Sequence, residues 1–232
     1  MIDVWRTFAR RVCAAGGITL LLVACAPEPL NRAAPIEAGT VPTATPSAGP
    51  LSASFAAITK TGKGSKVVKF TIPTDTAAIA TISNRGSANF IVESLAADGD
   101  TNELLVNKIG NYAGTVLFDT ESSVHSVAFK IQSNGSWKVV IKPVTSARAW
   151  NGTGRLSGKA DDVVRLTPMS SGLTTVTLVH SGRANFIGTA YGTDGRELLA
   201  NEIGRYSGQT TLPEGTFLFQ VEADGAWTIT SD

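Results

Sequence analysis

Cysteine is almost absent from this chain. Its 232 residues include two, Cys13 and Cys25, so no thiol follows residue 25. A disulfide bond, a Cys-x-x-Cys site and a cysteine nucleophile are therefore excluded from the remaining nine-tenths of the sequence. Any fold in that part must be held together by its hydrophobic core.

Residues that build catalytic or metal sites are also scarce. The two histidines, His125 and His180, have no copies of each other in the repeats described below, and the sequence contains no GxSxG, HExxH or nucleotide-type glycine loop. A triad or a metal site needs a histidine or thiol with a positioned carboxylate partner. We therefore expect a protein that is not an enzyme and that has no cofactor and no metal; an unrecognised hydrolase is the alternative.

One acidic loop could supply oxygen ligands to calcium. Residues 98–102 read Asp-Gly-Asp-Thr-Asn, whereas the matching residues 194–197 read Asp-Gly-Arg-Glu. Oxygen-rich loops bind Ca²⁺, but Arg196 would oppose a cation in the second copy. We interpret both segments as tight surface turns.

Charge is low and evenly spread. Hydrophobic residues make up 43% of the chain and charged residues 17%, and the formal net charge is +1. This composition is typical of a folded chain rather than a disordered one. Because no basic run is available to displace counterions from phosphates, we expect no nucleic-acid partner.

The first 25 residues have the pattern of an export signal. Arg6, Arg10 and Arg11 precede an apolar run at residues 12–24, which is shorter than the roughly 20 residues of a spanning helix. An ordinary secretory signal or a short buried helix would also fit this run. Its end, Leu-Val-Ala-Cys at residues 22–25, resembles the lipobox of bacterial lipoprotein signal peptides.

That resemblance implies cleavage after residue 24 and attachment of a diacylglycerol to Cys25, so residues 1–24 would be a signal peptide and the membrane a partner through this anchor. Two or more acyl chains hold a protein on a bilayer. The implied location is extracytoplasmic: the outer face of the plasma membrane, or the outer membrane in a bacterium with two membranes.

A proline-rich segment follows at residues 25–60. Six of the ten prolines of the chain lie in it: Pro27, Pro29, Pro35, Pro42, Pro46 and Pro50. Proline removes amide donors and fixes φ, so neither a helix nor a strand ladder can propagate through such a composition. We predict a disordered linker.

The rest of the chain is a tandem repeat. Residues 88–91, Ala-Asn-Phe-Ile, return at 184–187; Glu-Leu-Leu at 103–105 returns at 197–199; Asn107, Ile109, Gly110 and Tyr112 return as Asn201, Ile203, Gly204 and Tyr206. Period-2 alternation and turn residues predict seven short strands per repeat. In the first repeat, Asn134-Gly135 predicts a type I′ hairpin turn.

These patterns predict an all-β protein with two tandem antiparallel β-sandwich domains of jelly-roll-like form, at residues 61–146 and 147–232. The pattern of Asn-Phe, Asp-Gly, Leu-Leu-x-Asn-x-Ile-Gly-x-Tyr and Gly-x-Trp resembles β-sandwich repeats of secreted bacterial proteins, distantly those of the pre-peptidase C-terminal type. The resemblance implies an accessory fold and carries no catalytic residue.

Two classes of residue are candidates for ligand binding. The repeated pairs Asn89/Asn185 and Asn107/Asn201 are either structural or a doubled site, and we favour structural roles because Asn readily bonds to nearby backbone. Tyr112 and Tyr206 either tie a sandwich corner by their hydroxyls or stack on a sugar.

Two aromatic residues, Trp150 and Tyr191, have no counterpart in the other repeat. Trp150 lies in the connection between the domains, where we expect it to pack in their joint; an exposed indole there would instead stack on a sugar or anchor a partner. The sequence thus predicts a non-catalytic binding module at the cell envelope, with a cell-wall glycan or an envelope protein as ligand. A structural spacer or surface antigen without a specific ligand is the alternative.

Overall fold

The structure is a computed structural model that describes residues 53–73, 76–120 and 124–231. In this part the chain forms seventeen β-strands and one single-turn 3₁₀ helix. The predicted signal peptide, Cys25 and most of the predicted linker lie outside the described residues.

The first repeat contains eight strands. They are β1 Ile58–Lys63, β2 Lys66–Lys69, β3 Ala78–Arg85, β4 Asn89–Leu95, β5 Thr101–Ile109, β6 Tyr112–Phe118, β7 Ala128–Gln132 and β8 Ser136–Pro143. The 3₁₀ helix η1, Val144–Ser146, and the short strand β9, Arg148–Trp150, then lead into the second repeat. Because β1 begins at Ile58, the folded part starts ahead of the boundary expected at residue 61.

The second repeat has the same eight strands in the same order. They are β10 Gly154–Gly158, β11 Asp162–Leu166, β12 Thr174–His180, β13 Asn185–Gly192, β14 Gly195–Ile203, β15 Tyr206–Leu212, β16 Leu218–Ala223 and β17 Trp227–Ser231.

Each repeat is a two-sheet jelly roll. The strand orders are β1-β8-β3-β6 and β2-β7-β4-β5 in the first repeat, and β10-β17-β12-β15 and β11-β16-β13-β14 in the second, where β9 adds to the edge of β11. Pairing is antiparallel except between β9 and β11. This order is that of the eight-stranded jelly roll with two Greek keys, so the predicted all-β, tandem β-sandwich fold is confirmed.

The expected number of seven strands per repeat was wrong, because β1 and β10 lack apolar alternation. Both strands present a glycine to the core, where the ring of a tryptophan from the paired strand covers it: Trp137 lies on Gly62, and Trp227 on Gly158. The indole N–H groups donate to the carbonyl oxygens of Gly64 and Ala160, each at 2.8 Å. A Cβ at either glycine would overlap the ring, so each strand has a single apolar side chain, Ile58 or Leu156, which is too few to form an alternating pattern.

The predicted hairpin at Asn134-Gly135 was also wrong. Strands β7 and β8 belong to opposite sheets, and Gly135 lacks the positive φ that a type I′ turn requires. The Asn134 Oδ1 instead accepts hydrogen bonds from the backbone N–H groups of Ser87 and Ala88 at 3.0 and 3.3 Å. The dipeptide therefore carries the chain across the sandwich and ties it to the turn between β3 and β4.

A separate hydrophobic core fills each sandwich. Phe90, Phe118 and Phe129 are fully buried in the first, where the rings of Phe118 and Phe129 meet edge to face with centroids 5.3 Å apart. Phe186, Phe219 and Trp227 have the corresponding role in the second. Burying one such side chain stabilises the fold by roughly 1.5–3 kcal/mol.

A third apolar cluster joins the two repeats. Its buried members come from β3, β6, the η1 connection, β11 and β16: Ile79, Leu117, Val144, Ala147, Val163 and Leu218. Beside it, the backbone N–H of Thr115 donates to the carbonyl oxygen of Asp161 at 2.9 Å. Both repeats belong to one compact unit of the chain, so their surfaces hold a defined position relative to each other.

Candidate functional site

Trp150 is not available to a ligand. Its side chain is 7% exposed and packs in the core of the second repeat rather than in the cluster between the repeats. The indole N–H donates to the carbonyl oxygen of Thr153 at 2.9 Å. The expected position in the joint was therefore wrong, and burial leaves no ring face on which a sugar could stack.

Tyr112 links the two repeats. Its hydroxyl donates to Asp161 Oδ2 at 2.8 Å, and the side chain is 9% exposed. Asp161 Oδ1 accepts a second hydrogen bond, from the backbone N–H of Ala223 at 2.8 Å. Burial, reinforced by the charge of Asp161, raises the pKa of Tyr112 far above its usual value, so the hydroxyl stays protonated as a donor.

Tyr206 and Tyr191 lie in different surroundings. Tyr206 is half-buried against the second core, with its ring centroid 5.8 Å from that of Phe186. Tyr191 is half-buried beside the cluster between the repeats, where its hydroxyl donates to Gln220 Oε1 at 3.1 Å and burial raises its pKa. It also lines an apolar cavity of 240 Å³ together with Leu117 and Phe217.

The four aromatic candidates thus do not converge on one surface. Trp150 and Tyr206 pack with the second core, Tyr112 with the first, and Tyr191 with the cluster between the repeats. Their contacts explain them as packing and hydrogen-bonding residues.

His180 has a structural counterpart in the first repeat that the sequence comparison did not reveal. Its Nδ1 lies 2.7 Å from the carbonyl oxygen of Gly204, and Asn84 Nδ2 donates to the equivalent carbonyl of Gly110 at 2.8 Å. The imidazole is buried and stacks on Phe186 at 4.7 Å. Two different side chains therefore fix the same glycine turn.

A carboxylate also lies close to His180. Its Nε2 is 3.3 Å from Asp224 Oδ1, without the geometry of a hydrogen bond. Asp224 instead accepts backbone hydrogen bonds from Arg183 and Ala184. Despite some desolvation, these bonds and the nearby imidazole lower the pKa of Asp224. His125 is half-buried beside a groove of the first repeat.

Comparing the two repeats position by position separates residues kept by packing from those that packing does not require. In the paired strands β4–β5 and β13–β14, three buried positions have changed, Val92 to Gly188, Ser94 to Ala190 and Val106 to Ala200. Core positions elsewhere differ as well, such as Ile82 and Leu178. The core has therefore diverged while the fold has stayed the same.

Part of the outer face of the same strand pairs has not diverged. Five residues per repeat are identical there, and we call each set a copy of the duplicated patch: Asn89, Ile91, Leu104, Asn107 and Ile109 in the first repeat, and Asn185, Ile187, Leu198, Asn201 and Ile203 in the second. Asn89 lies opposite Ile109 and Ile91 opposite Asn107, and the second copy repeats these pairings. Amide and aliphatic side chains thus alternate across two strands.

A register shift decides which residues face outward. The pairing of β4 with β5 shifts between Val92 and Glu93, so Leu105 has no direct partner and Leu104 pairs with Glu93. The same shift pairs Leu198 with Thr189. Because one extra residue reverses the alternation of side chains, Leu104 and Leu198 lie on the outer face with the asparagines rather than in the core.

Four of the five residues in each copy are exposed, and Ile91 and Ile187 are half-buried, so the two copies are exposed to the same extent. Leu104 and Leu198 are 57% and 56% exposed, and Ile109 and Ile203 are 79% and 81% exposed. The four asparagine side chains are also exposed and form no hydrogen bond within the described residues. The structural role that we favoured for these asparagines is therefore not supported by their contacts.

Outer-face positions beyond the duplicated patch have mostly diverged. Ile79 and Leu117, which join the repeats, correspond to Thr175 and Thr211. Glu93 corresponds to Thr189, and its ion-pair partner Lys130 to Gln220. The duplicated patch is thus a run of matched solvent-facing residues among changing neighbours, which is the pattern of a binding surface present twice.

Comparison with known proteins finds no protein-family model that matches the chain and no curated protein similar to it. The duplicated patch must therefore be interpreted from its own chemistry. Across the described ranges, no group of three or more histidine, cysteine or acidic side chains is placed to hold a metal ion. The same residues include no helix with the length and apolar character needed to cross a bilayer.

The sequence contained part of this signal. Repetition of Asn89, Asn107 and Ile109 was visible, but strand alternation alone could not tell which leucine of the Leu-Leu pair faces solvent. A pairing register that includes the bulge was required, and that register is a property of the folded sheet.

Proposed function

We propose that this protein is a non-catalytic binding module, held at the outer side of a bacterial membrane by a lipid on Cys25, which engages a component of the cell envelope through the duplicated patch. The observation that supports binding is the identity of five outer-face residues, four exposed and one half-buried, in two repeats whose cores have diverged. Exposed leucine and isoleucine gain nothing from the fold of their own repeat.

A spacer without a ligand would place no such demand on its surface. Exposed positions that make no contact tolerate substitution within about 0.5 kcal/mol, so Leu104, Asn107 and Ile109 would be free to differ from their counterparts. The neighbouring positions Glu93 and Lys130 have in fact changed. Because the patch residues are retained while their neighbours have changed, a binding role is favoured over a spacer role.

The test is retention of envelope components by the full chain. We compare the wild type with a variant that carries Asn107→Ala, Ile109→Ala, Asn201→Ala and Ile203→Ala. The matched control is Leu173→Ala, which truncates an 86% exposed aliphatic side chain outside the patch. We expect the wild type and the control to retain a component from solubilised envelope, and the patch variant to lose it while melting at the same temperature.

Equal retention by the patch variant and the wild type would refute the patch as the binding surface and favour the spacer. The anchor is tested separately with Cys25→Ser. We expect this variant to leave the membrane fraction and to incorporate no labelled palmitate, and continued labelling would contradict lipidation at Cys25.

A further inference from the structure

We infer that the two copies of the duplicated patch form a bivalent site for a neutral glycan, an uncharged and hydroxyl-rich polymer whose repeating units occupy both copies at once. This inference rests on the proposed function and names the ligand class and the mode of binding. It follows from the chemistry of the patch, the charges around it and the fixed connection between the repeats.

The first argument is hydrogen-bonding capacity. An asparagine amide both donates and accepts, and the four amides of the patch have no partner within the described residues. A sugar hydroxyl also donates and accepts, so it can satisfy both ends of an amide. An isoleucine lies directly opposite each asparagine: Ile109 opposite Asn89, and Ile91 opposite Asn107. These isoleucines supply apolar surface for the C–H faces of a sugar ring.

The second argument is charge. Beside the first copy, Glu93 pairs with Lys130 at 2.9 Å, whereas the second copy has Thr189 and Gln220 at these positions. Gln132, opposite the patch residue Ile91, is likewise replaced by Glu222, opposite Ile187. A charged ligand that occupied both copies would therefore meet different charges at the two sites. An uncharged ligand meets the same five residues twice.

The third argument is the absence of strong anchors within the patch. Protein–protein interfaces draw most of their affinity from buried tryptophan, tyrosine and arginine, and none of the five repeated residues belongs to these types. Each copy is therefore a weak site on an open sheet face. A weak site present twice suits a ligand that displays the same unit many times.

The fourth argument is rigidity between the copies. The apolar cluster that contains Ile79, Leu117, Val163 and Leu218, together with the bond from Tyr112 to Asp161, joins the two repeats. Sites held at a defined separation bind a polymer that spans them with a gain of roughly 10²–10⁴ over one site. Duplication thus converts weak contacts into useful affinity without any new contact.

The experiment measures binding of the full chain to immobilised neutral polymers, namely glucan, mannan, galactan and chitin, and to short oligosaccharides of the same sugars. One variant removes the first copy with Asn107→Ala and Ile109→Ala. A second variant removes the other copy with Asn201→Ala and Ile203→Ala, and a third combines all four changes. Leu173→Ala is again the control, and melting temperatures verify that every variant is folded.

We expect at least one polymer to bind the wild type and the control. Either single-copy variant should bind that polymer roughly 100-fold or more weakly, and the combined variant should not bind it. Short oligosaccharides, which cannot reach both copies, should show at most a two-fold difference between the wild type and each single-copy variant.

Three results would overturn the inference. Failure of the wild type to bind any of the four polymers would exclude a neutral glycan as the ligand. Single-copy variants that bind polymer as well as the wild type would exclude bivalency. Patch-dependent retention of an envelope protein without polymer binding would also overturn it, yet would leave the proposed binding function standing.

Discussion

Removing the Tyr112 hydroxyl should weaken the connection between the repeats. Tyr112→Phe keeps the ring against the first core but leaves Asp161 Oδ2 without its donor. Tyr112 and Asp161 are 9% and 6% exposed, so water cannot easily take the place of the hydroxyl. A hydrogen bond to a charged group is worth about 1.5–3 kcal/mol, and we expect a loss of about 2 kcal/mol in the free energy of unfolding.

The second repeat contains the matched control. Tyr206 occupies the position of Tyr112. The residue of the first repeat that corresponds to Asp161 is Ser65, which has no carboxylate. No hydrogen bond of the Tyr206 hydroxyl to a described residue is found. Tyr206→Phe should therefore change stability by no more than about 0.5 kcal/mol. Urea unfolding of the full chain measures both values. With an m-value of about 2 kcal/mol/M, Tyr112→Phe should lower the midpoint by about 1 M.

A double-mutant cycle isolates the interaction. Asp161→Ser places in the second repeat the residue that the first repeat has at this position, Ser65. Ser65 Oγ accepts a hydrogen bond from the Ser133 N–H at 3.3 Å, and Asp161 Oδ1 accepts the equivalent bond from the Ala223 N–H. The Ser variant thus removes the acceptor for Tyr112 while offering a polar replacement for the other bond. We expect a coupling energy between the two substitutions of about 1–2 kcal/mol. Equal losses of stability for Tyr112→Phe and Tyr206→Phe, or a coupling energy of zero, would refute the hydrogen bond between the repeats as the source of the loss.

Two further predictions concern polar groups, the half-buried Glu222 and the buried His180. Burial, and next the charge of Asp161, raise the pKa of Glu222 above its ordinary value of 4.5. Ionised Glu222 therefore destabilises the folded state. This destabilisation develops as pH rises through 4.5 and is absent in acid. Glu222→Gln should therefore raise the melting temperature at pH 7 and leave it unchanged at pH 3; an equal gain at both pH values would contradict this reasoning. His180→Asn places in the second repeat the side chain that Asn84 supplies in the first, so thermal unfolding should show a smaller loss than for His180→Ala, where the turn loses a hydrogen bond worth about 1 kcal/mol. A loss for Asn as large as that for Ala would show that stacking on Phe186 is the main role of the imidazole.

Much of the fold could be predicted because the chain contains a tandem repeat. Val68, Phe70, Phe90, Phe129 and similar residues alternate with polar ones, and turn residues separate the runs, so most strands and the all-β class were visible. Strands β1 and β10 were missed since the core side of each presents Gly62 or Gly158 to a tryptophan ring. The one apolar side chain that remains in each, Ile58 or Leu156, does not make an alternating hydrophobic pattern.

Turn chemistry was a weaker guide than the repeat. Asn134-Gly135 has the composition of a hairpin turn, but Gly135 is required by the close approach of its Cα to the backbone of Arg85, where a Cβ would overlap the carbonyl. Asp224 takes the place of Asn134 in the second repeat and caps the same turn between strands. The residue pair was retained for a contact between distant segments, which local propensity cannot distinguish from a hairpin.

The sequence by itself determined the duplication, the β-sandwich class and the set of residues that both repeats share. The tertiary structure alone decided which shared residues are core and which are surface, since a bulge at Leu105 and Leu199 reverses the side-chain alternation on which any reading of a strand depends. It also decided that Tyr112 and Tyr206, which share the pattern Ile-Gly-x-Tyr-x-Gly, differ in role. The reason is physical: the partner of Tyr112 is Asp161, 49 residues away in the chain, and only the packing of one repeat on the other brings them together.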